Sequence, residues 1–90
     1  MGRKRSRIDI IGDILLSIRD KGGEIKPTHL MYKSNLSHSQ MKSYLEELVE
    51  KSFIQKTKKE NYEYIILTDK GFNFIQKLKE MKEFEETFGL

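Results

Sequence analysis

Residues 28–45 read THLMYKSNLSHSQMKSYL and form the most informative stretch of this chain. The spacing predicts a short helix, a polar turn at Ser34-Asn35-Leu36 and a second helix that begins after Ser37. Ser37 and Gln40 have the spacing of a capping box, in which each side chain bonds the backbone N–H of the other residue. We therefore expect a helix-turn-helix, a unit that DNA-binding proteins place in the major groove, although similar helical corners occur elsewhere.

The composition limits the class of protein. The chain has 90 residues, a formal net charge of +3 and no cysteine. This length predicts a single small domain, and the lack of cysteine excludes disulfides and thiolate metal sites. No apolar run approaches the roughly 20 residues of a membrane span, and the basic start is not followed by a secretory apolar segment. We expect a cytoplasmic, nucleoid-associated protein without a membrane contact.

Hydrophobic spacing and caps predict the order of the elements. A first helix is expected from its cap Ser6, with Asp9 as the acidic partner, to the stop at Gly22-Gly23. A very short strand over 24–26, the helix of 28–33 and the helix after Ser37 follow. The latter should end near 51–52 and turn Met41, Leu45, Leu48 and Val49 inward, with Tyr44 at the edge.

Aromatic and β-branched residues then predict two strands, 53–58 and 62–67, joined by 59–61. The hairpin must lie on the helices through Phe53, Ile54, Ile65 and Leu67, because a lone hairpin is not stable. Thr68 caps a last helix that runs to about residue 88. Gly71, in the first turn of this helix, would allow close approach to a strand. The fold class is α+β, mainly helical: a winged helix-turn-helix over 1–68, with a dimerisation helix over 69–90.

Several segments also resemble a known family. Leu30–Ser37, Gln40, Tyr44-Leu45 and Leu67–Gly71 are similar to the small archaeal winged helix-turn-helix proteins. That family consists mostly of predicted transcriptional regulators and includes 10-kDa chromatin-associated DNA-binding proteins. The resemblance covers Arg5 to about Leu78. It implies a winged helix, DNA binding and dimerisation through the last helix, which forms a long antiparallel coiled coil in the chromatin-type members and is short here.

Three groups of side chains are candidates for DNA contact. The basic arm, residues 3–7, would neutralise phosphates. The start of the second helix of the pair would meet base edges, and the hairpin, which forms the wing, would flank the duplex. The alternatives are a solubilising terminus, an ordinary solvated face and edge-strand lysines that block aggregation. Tyr32 would add a phosphate contact if it is not a packing residue. The candidate residues are Arg3, Lys4, Arg5, Arg7, Tyr32, His38, Ser39, Gln40, Lys42, Ser43, Lys56, Lys58 and Lys59.

The residues provide no basis for catalysis. His29 and His38 are too few for a metal site, the carboxylates lie on helix faces rich in lysine and arginine, and no glycine-rich phosphate loop is present. We therefore expect no enzyme activity, no catalytic residue, no metal and no cofactor, and no small-molecule ligand is evident.

The last helix carries an apolar stripe that one small core cannot cover. We expect Phe72 and Ile75 to lie in the monomer core. The rear of the stripe is expected to pack against a partner helix. The predicted homodimer interface consists of Phe74, Leu78, Met81, Phe84 and Phe88.

Together these features favour a transcriptional regulator that binds double-stranded DNA as a homodimer. The first alternative is an architectural chromatin protein with little sequence preference. The second is a winged-helix module for protein–protein interaction, which the acidic C-terminal stretch would suit and the basic arm and wing argue against.

Overall fold

The computed structural model describes residues 6–90, and the arm residues Arg3, Lys4 and Arg5 lie outside them. The elements follow the predicted order. They are α1 (Arg7–Asp20), β1 (Glu24–Ile25), α2 (Pro27–Ser34), α3 (His38–Glu50), β2 (Ile54–Lys59), β3 (Tyr62–Leu67) and α4 (Asp69–Phe88). Three helices, a three-stranded antiparallel sheet and the C-terminal helix confirm the winged-helix fold class.

The predicted cap of α1 is present and connects it to α4. Ser6 Oγ accepts a hydrogen bond from the Asp9 backbone N–H, and the Asp9 carboxylate accepts one from the Ser6 N–H, each at 3.1 Å. Lys82 Nζ of α4 lies 3.1 Å from the other Asp9 oxygen. The bonds from Ser6, together with Lys82, lower the pKa of Asp9 to about 2. The start of α1 is thereby joined to the middle of α4.

The sheet has the order β1-β3-β2, and β1 is the predicted very short strand. Lys59 pairs with Tyr62, so the turn of the wing is Glu60-Asn61, one residue shorter than expected. Both turn residues have positive φ, 51° and 70°, which suits the tight turns of two-residue hairpins.

The core lies between α1, α2, α3, the first half of α4 and the inner face of the sheet. The fully buried side chains are Ile14, Leu15, Ile18, Leu30, Leu48, Ile54 and Ile65. Ile54 and Ile65 fasten the hairpin to the helices as predicted, and Phe53 and Leu67 pack beside them, partly buried.

The prediction that Val49 and Phe72 are buried in the core is wrong. Val49 is 38% exposed and Phe72 is 46% exposed. In α4 the buried face is set by Gly71, Ile75 and Leu78. Phe72 follows Gly71 by one residue, about 100° around the helix, and so lies at the edge of this buried face.

Gly71 lies directly above the chain that enters the wing. A Cβ at Gly71 would stand 2.2 Å from the carbonyl oxygen of Phe53, the residue before β2. Thr68 fixes this junction, because its Oγ1 donates to the Ser52 carbonyl at 2.6 Å and accepts from the Gly71 N–H at 3.0 Å. The expectation of close approach at Gly71 is confirmed.

The boundary expected at residue 68 falls within one packed unit. Ile75 and Leu78 are buried, and Leu78 packs against Gly12 of α1. The first half of α4 therefore belongs to the same core as the helix-turn-helix. Within residues 6–90, no helix is both long and apolar enough to cross a membrane.

Candidate nucleic-acid interface

The N-terminus of α3 is held by the capping box that the sequence predicts. Ser37 Oγ accepts from the Gln40 N–H at 3.2 Å, and Gln40 Oε1 accepts from the Ser37 N–H at 3.0 Å. Gln40 is therefore engaged through its side-chain oxygen, and only its amide NH2 group is left to donate. The turn before α3 is equally defined, because Asn35 takes the left-handed conformation with φ 55° and ends α2.

The first two turns of α3 present a continuous polar face. His38, Ser39, Lys42 and Ser43 are all exposed, as the sequence predicts. All four can donate hydrogen bonds, His38 in the appropriate tautomer. Farther along the helix the exposed side chains include Glu46 and Glu50. The helix is thus suited to meet a polyanion with its N-terminal end and not along its full length.

The wing brings a lysine to this face. Strand alternation places Lys56 and Lys58 on the same side of β2 as the buried Ile54, which is the side of the helices. Lys56 lines a cleft of about 180 Å³ together with His38 and Lys42 of α3. Glu63 of β3 also lines it, above a floor that includes Met31, Met41 and Leu45. We call this the α3–wing cleft.

Glu63 is a member of this site that the sequence analysis missed. It is located two residues before the buried Ile65, so strand alternation would have placed it on the inner side of β3. Its register partner is Lys58. A carboxylate in the cleft partly offsets the charge of the wing lysines.

Lys59 differs from the other two wing lysines. Its ammonium group lies 2.6 Å from a carboxylate oxygen of Glu24, on the outer side of the sheet. The hydrogen bond that Lys59 donates to Glu24, together with the negative charge of Glu24, raises the pKa of Lys59. The three lysines grouped by the sequence analysis are therefore divided between two faces, and Lys59 is not part of the cleft.

Two other candidates lie apart from the cleft. Arg7 donates to the Glu47 carboxylate of α3, and its guanidinium carbon is 5.9 Å from the ring centroid of Tyr44. Tyr32 is 86% exposed on α2, so it is not a packing residue.

The expected dimer stripe is only partly available to a partner. Phe74 stacks on Phe53 with 4.9 Å between ring centroids, and Leu78 is buried against α1. Met81, Phe84 and Phe88 are 45%, 57% and 64% exposed. The rings of Phe84 and Phe88 contact each other, with 4.8 Å between their centroids. The part of this stripe that is left uncovered therefore lies on the last two to three turns of α4.

A larger groove of about 650 Å³ lies between α1 and α4, on another part of the molecule. Its floor is formed by Gly12, Leu16, Ile75 and Leu78. None of the expected DNA contacts within residues 6–90 lines it, so the α3–wing cleft remains the candidate site.

Comparisons with known proteins agree with this fold. The chain is 35% identical over 78 residues to the uncharacterized protein MJ0290 of Methanocaldococcus jannaschii, which covers 87% of this chain. It spans only 34% of that relative's length.

Among solved structures, the DNA-binding protein Sso10a-2 from Sulfolobus solfataricus superposes with a TM-score of 0.77 at 20% identity. The match covers 93% of this chain and 85% of that one. A MarR variant from E. coli, solved with operator DNA, superposes with a TM-score of 0.67 at 21% identity over 74% of this chain and 49% of its own. At these sequence identities, the two superpositions show a shared fold.

The profile of the winged helix-turn-helix family matches residues 4–86, nearly the whole chain. The match confirms the resemblance drawn from the sequence and agrees with the expectation that the chain is not an enzyme. Helix-turn-helix, wing and C-terminal helix are all in place, and the chain belongs to the winged helix-turn-helix family.

Proposed function

We propose that the chain binds duplex DNA with the N-terminal end of α3 in the major groove and the wing beside the bordering phosphate strand. The observation that carries this proposal is the α3–wing cleft, where Lys42 and Lys56 come from separate elements to line one space. Two ammonium groups on either side of a narrow cleft suit a phosphodiester strand. Sso10a-2 and the MarR complex support this role, since both are DNA-binding proteins of the same fold.

Base recognition would fall to the exposed start of α3. His38, Ser39 and Ser43 offer hydrogen-bond donors to base edges, and Lys42 is placed to meet guanine or a phosphate. The free N–H groups at the helix start favour a phosphate as well. No arginine is present on this face for a bidentate guanine contact, so discrimination per base should be modest. Tyr32 and the arm, Arg3, Lys4, Arg5 and Arg7, would add phosphate contacts outside the cleft.

The proposal includes a homodimer formed by the ends of two α4 helices. Met81, Phe84 and Phe88 form an exposed apolar seam that needs a cover. Residues 77–82 carry three lysines and one glutamate, whereas residues 83–88 carry three glutamates and no lysine. An antiparallel pair would place the basic segment of each chain opposite the acidic segment of the other, and a parallel pair would not. Two linked heads would then bind adjacent half-sites.

The biological role proposed is transcriptional regulation, at the nucleoid in the cytoplasm. Architectural binding of DNA is the alternative, which the lack of a strong single-base reader on α3 favours. A protein–protein module is the third possibility, and it would show no shift of any duplex.

The cleft is tested by the salt dependence of duplex binding. Lys42→Ala and Lys56→Ala should each reduce the slope of log affinity against log salt by about 0.9, because each removes one phosphate contact. Lys21→Ala removes the same charge at the exposed C-cap of α1 and should leave the slope nearly unchanged. Fluorescence anisotropy on an arbitrary duplex at several salt concentrations measures this. Equal slopes for all four proteins would show that the cleft does not hold a phosphate.

In-vitro selection from a random duplex pool separates the regulator from the architectural protein. We expect a short motif with two-fold symmetry, because modest half-site discrimination must be summed over two heads. Ser39→Ala should weaken the motif while leaving binding to arbitrary duplex mostly intact, since Ser39 would contact bases and not the backbone. Recovery of no motif, with affinity dependent only on length and salt, would replace the regulator by the architectural role.

A further inference from the structure

The outer face of the sheet is a second exposed surface, away from the α3–wing cleft. Ile25, Ile54 and Ile65 point to the core and are 3%, 1% and 0% exposed. Strand alternation therefore turns Tyr62 and Tyr64 of β3 outward. Tyr62 is 56% exposed, and Tyr64 is partly exposed.

Two lysines lie over these rings. Lys26 Nζ is 4.3 Å from the ring centroid of Tyr62 and 6.0 Å from that of Tyr64. Lys59 Nζ is 5.7 Å from the Tyr64 centroid. Glu24 neutralises part of this charge through its ion pair with Lys59. We call Lys26, Lys59, Tyr62 and Tyr64 the Tyr–Lys cluster, and none of its members lines the α3–wing cleft.

We propose that the Tyr–Lys cluster binds single-stranded nucleic acid. Tyr62 and Tyr64 are two residues apart on one strand, which separates their backbone positions by roughly 6.6–6.8 Å along the strand. Each ring can therefore take one unpaired base, and the ammonium groups now over the rings can move to the adjoining phosphates. Aromatic platforms with flanking cations are the general means of holding single strands without sequence preference.

The same chemistry argues against a duplex at this surface. A duplex keeps the faces of its bases inside the stack, so it could use the two lysines but not the two rings. An acidic peptide would likewise need the lysines alone. The exposed ring of Tyr62 thus points to a strand with free bases. This activity goes beyond the proposed duplex binding and uses different residues.

The test is anisotropy with a labelled oligo(dT) of about 15 nucleotides, within the range that such platforms accommodate. Tyr62→Ala should weaken binding by about five-fold or more, and Tyr62→Phe should preserve it because a phenyl ring still stacks. Lys26→Ala should also weaken binding. Phe72→Ala removes an aromatic ring that is 46% exposed on α4 and is the matched control, expected to bind as the parent does. Circular dichroism verifies that each variant is folded.

Three results would overturn the proposal. The first is a parent protein that does not bind the oligonucleotide. The second is loss of binding in Lys42→Ala and Lys56→Ala but not in Tyr62→Ala, which would place the strand in the cleft. The third is loss in Lys26→Ala alone, which would indicate a general affinity for polyanions, acidic peptides included. Duplex binding by Tyr62→Ala should stay at the parent level, so failure of this proposal is distinct from failure of the duplex proposal.

Discussion

Replacing Gly71 by alanine should lower the free energy of unfolding by about 2–4 kcal/mol, a large share of the stability of so small a domain. The added methyl group would stand 2.2 Å from the Phe53 carbonyl oxygen, which is backbone and cannot rotate away. That oxygen also accepts a hydrogen bond from the Thr68 N–H at 3.1 Å, so moving it would disturb the start of α4. Thermal unfolding followed by circular dichroism should show a midpoint lower by roughly 10–25 °C.

Gly12→Ala is the matched control for this experiment. Its Cβ would stand 2.7 Å from Leu78 Cδ2, the end of a flexible side chain. That methyl group can shift, and alanine is the better helix former by about 1 kcal/mol, so the net loss should be much smaller than at Gly71. Equal midpoints for the two variants would contradict the assigned role of the Gly71–Phe53 contact.

Charged residues at the end of α4 should convert the proposed dimer into a folded monomer. Met81→Glu with Phe84→Glu places like charges opposite each other in the antiparallel seam that a partner would cover, and both side chains are exposed within one chain, so the fold should persist. Loss of the dimer should lower the affinity for a two-fold symmetric site by 10²-fold or more, because the two heads no longer act as one ligand. Sedimentation equilibrium gives the mass, and anisotropy gives the affinity.

Phe72→Lys is the control, because it adds a charge at another exposed position of the same helix. Phe72 is 46% exposed, close to the 45% of Met81, but it lies nine residues away and half a turn around α4. The Phe72→Lys substitution should leave both the association state and the DNA affinity unchanged. A parent protein that sediments as a 10.7 kDa monomer at high micromolar concentration would exclude the dimer.

Local patterns in the sequence were sufficient for the order of the elements and for three of the helix starts. The capping boxes at Ser6 and Ser37, and Thr68 at the start of α4, predicted three helix starts correctly because a cap is made by residues three positions apart. The polar face at the start of α3 was also predictable, since it follows from helical spacing alone.

Contacts between distant segments decided the rest. Alternation along β2 and β3 was visible in the sequence, but only the packed sheet shows that Lys56 and Glu63 share a cleft with α3, whereas Lys59 lies outside with Glu24. Likewise, Phe74 and Leu78 match the apolar spacing of Met81 and Phe84, and their spacing could not show where the monomer core ends. In the structure, Phe53 covers Phe74, and α1 covers Leu78.

The sequence by itself therefore determined the winged-helix order of elements, the caps and the donor-rich start of α3, because each depends on neighbours within one or two helical turns. Only the tertiary structure decided which lysines lie beside α3 and which apolar residues of α4 remain uncovered. It also decided that Gly71 packs against the Phe53 backbone at the entry to the wing. Those outcomes depend on the register of the sheet and on the length over which α4 packs on α1, and both are set by contacts between residues far apart in the chain.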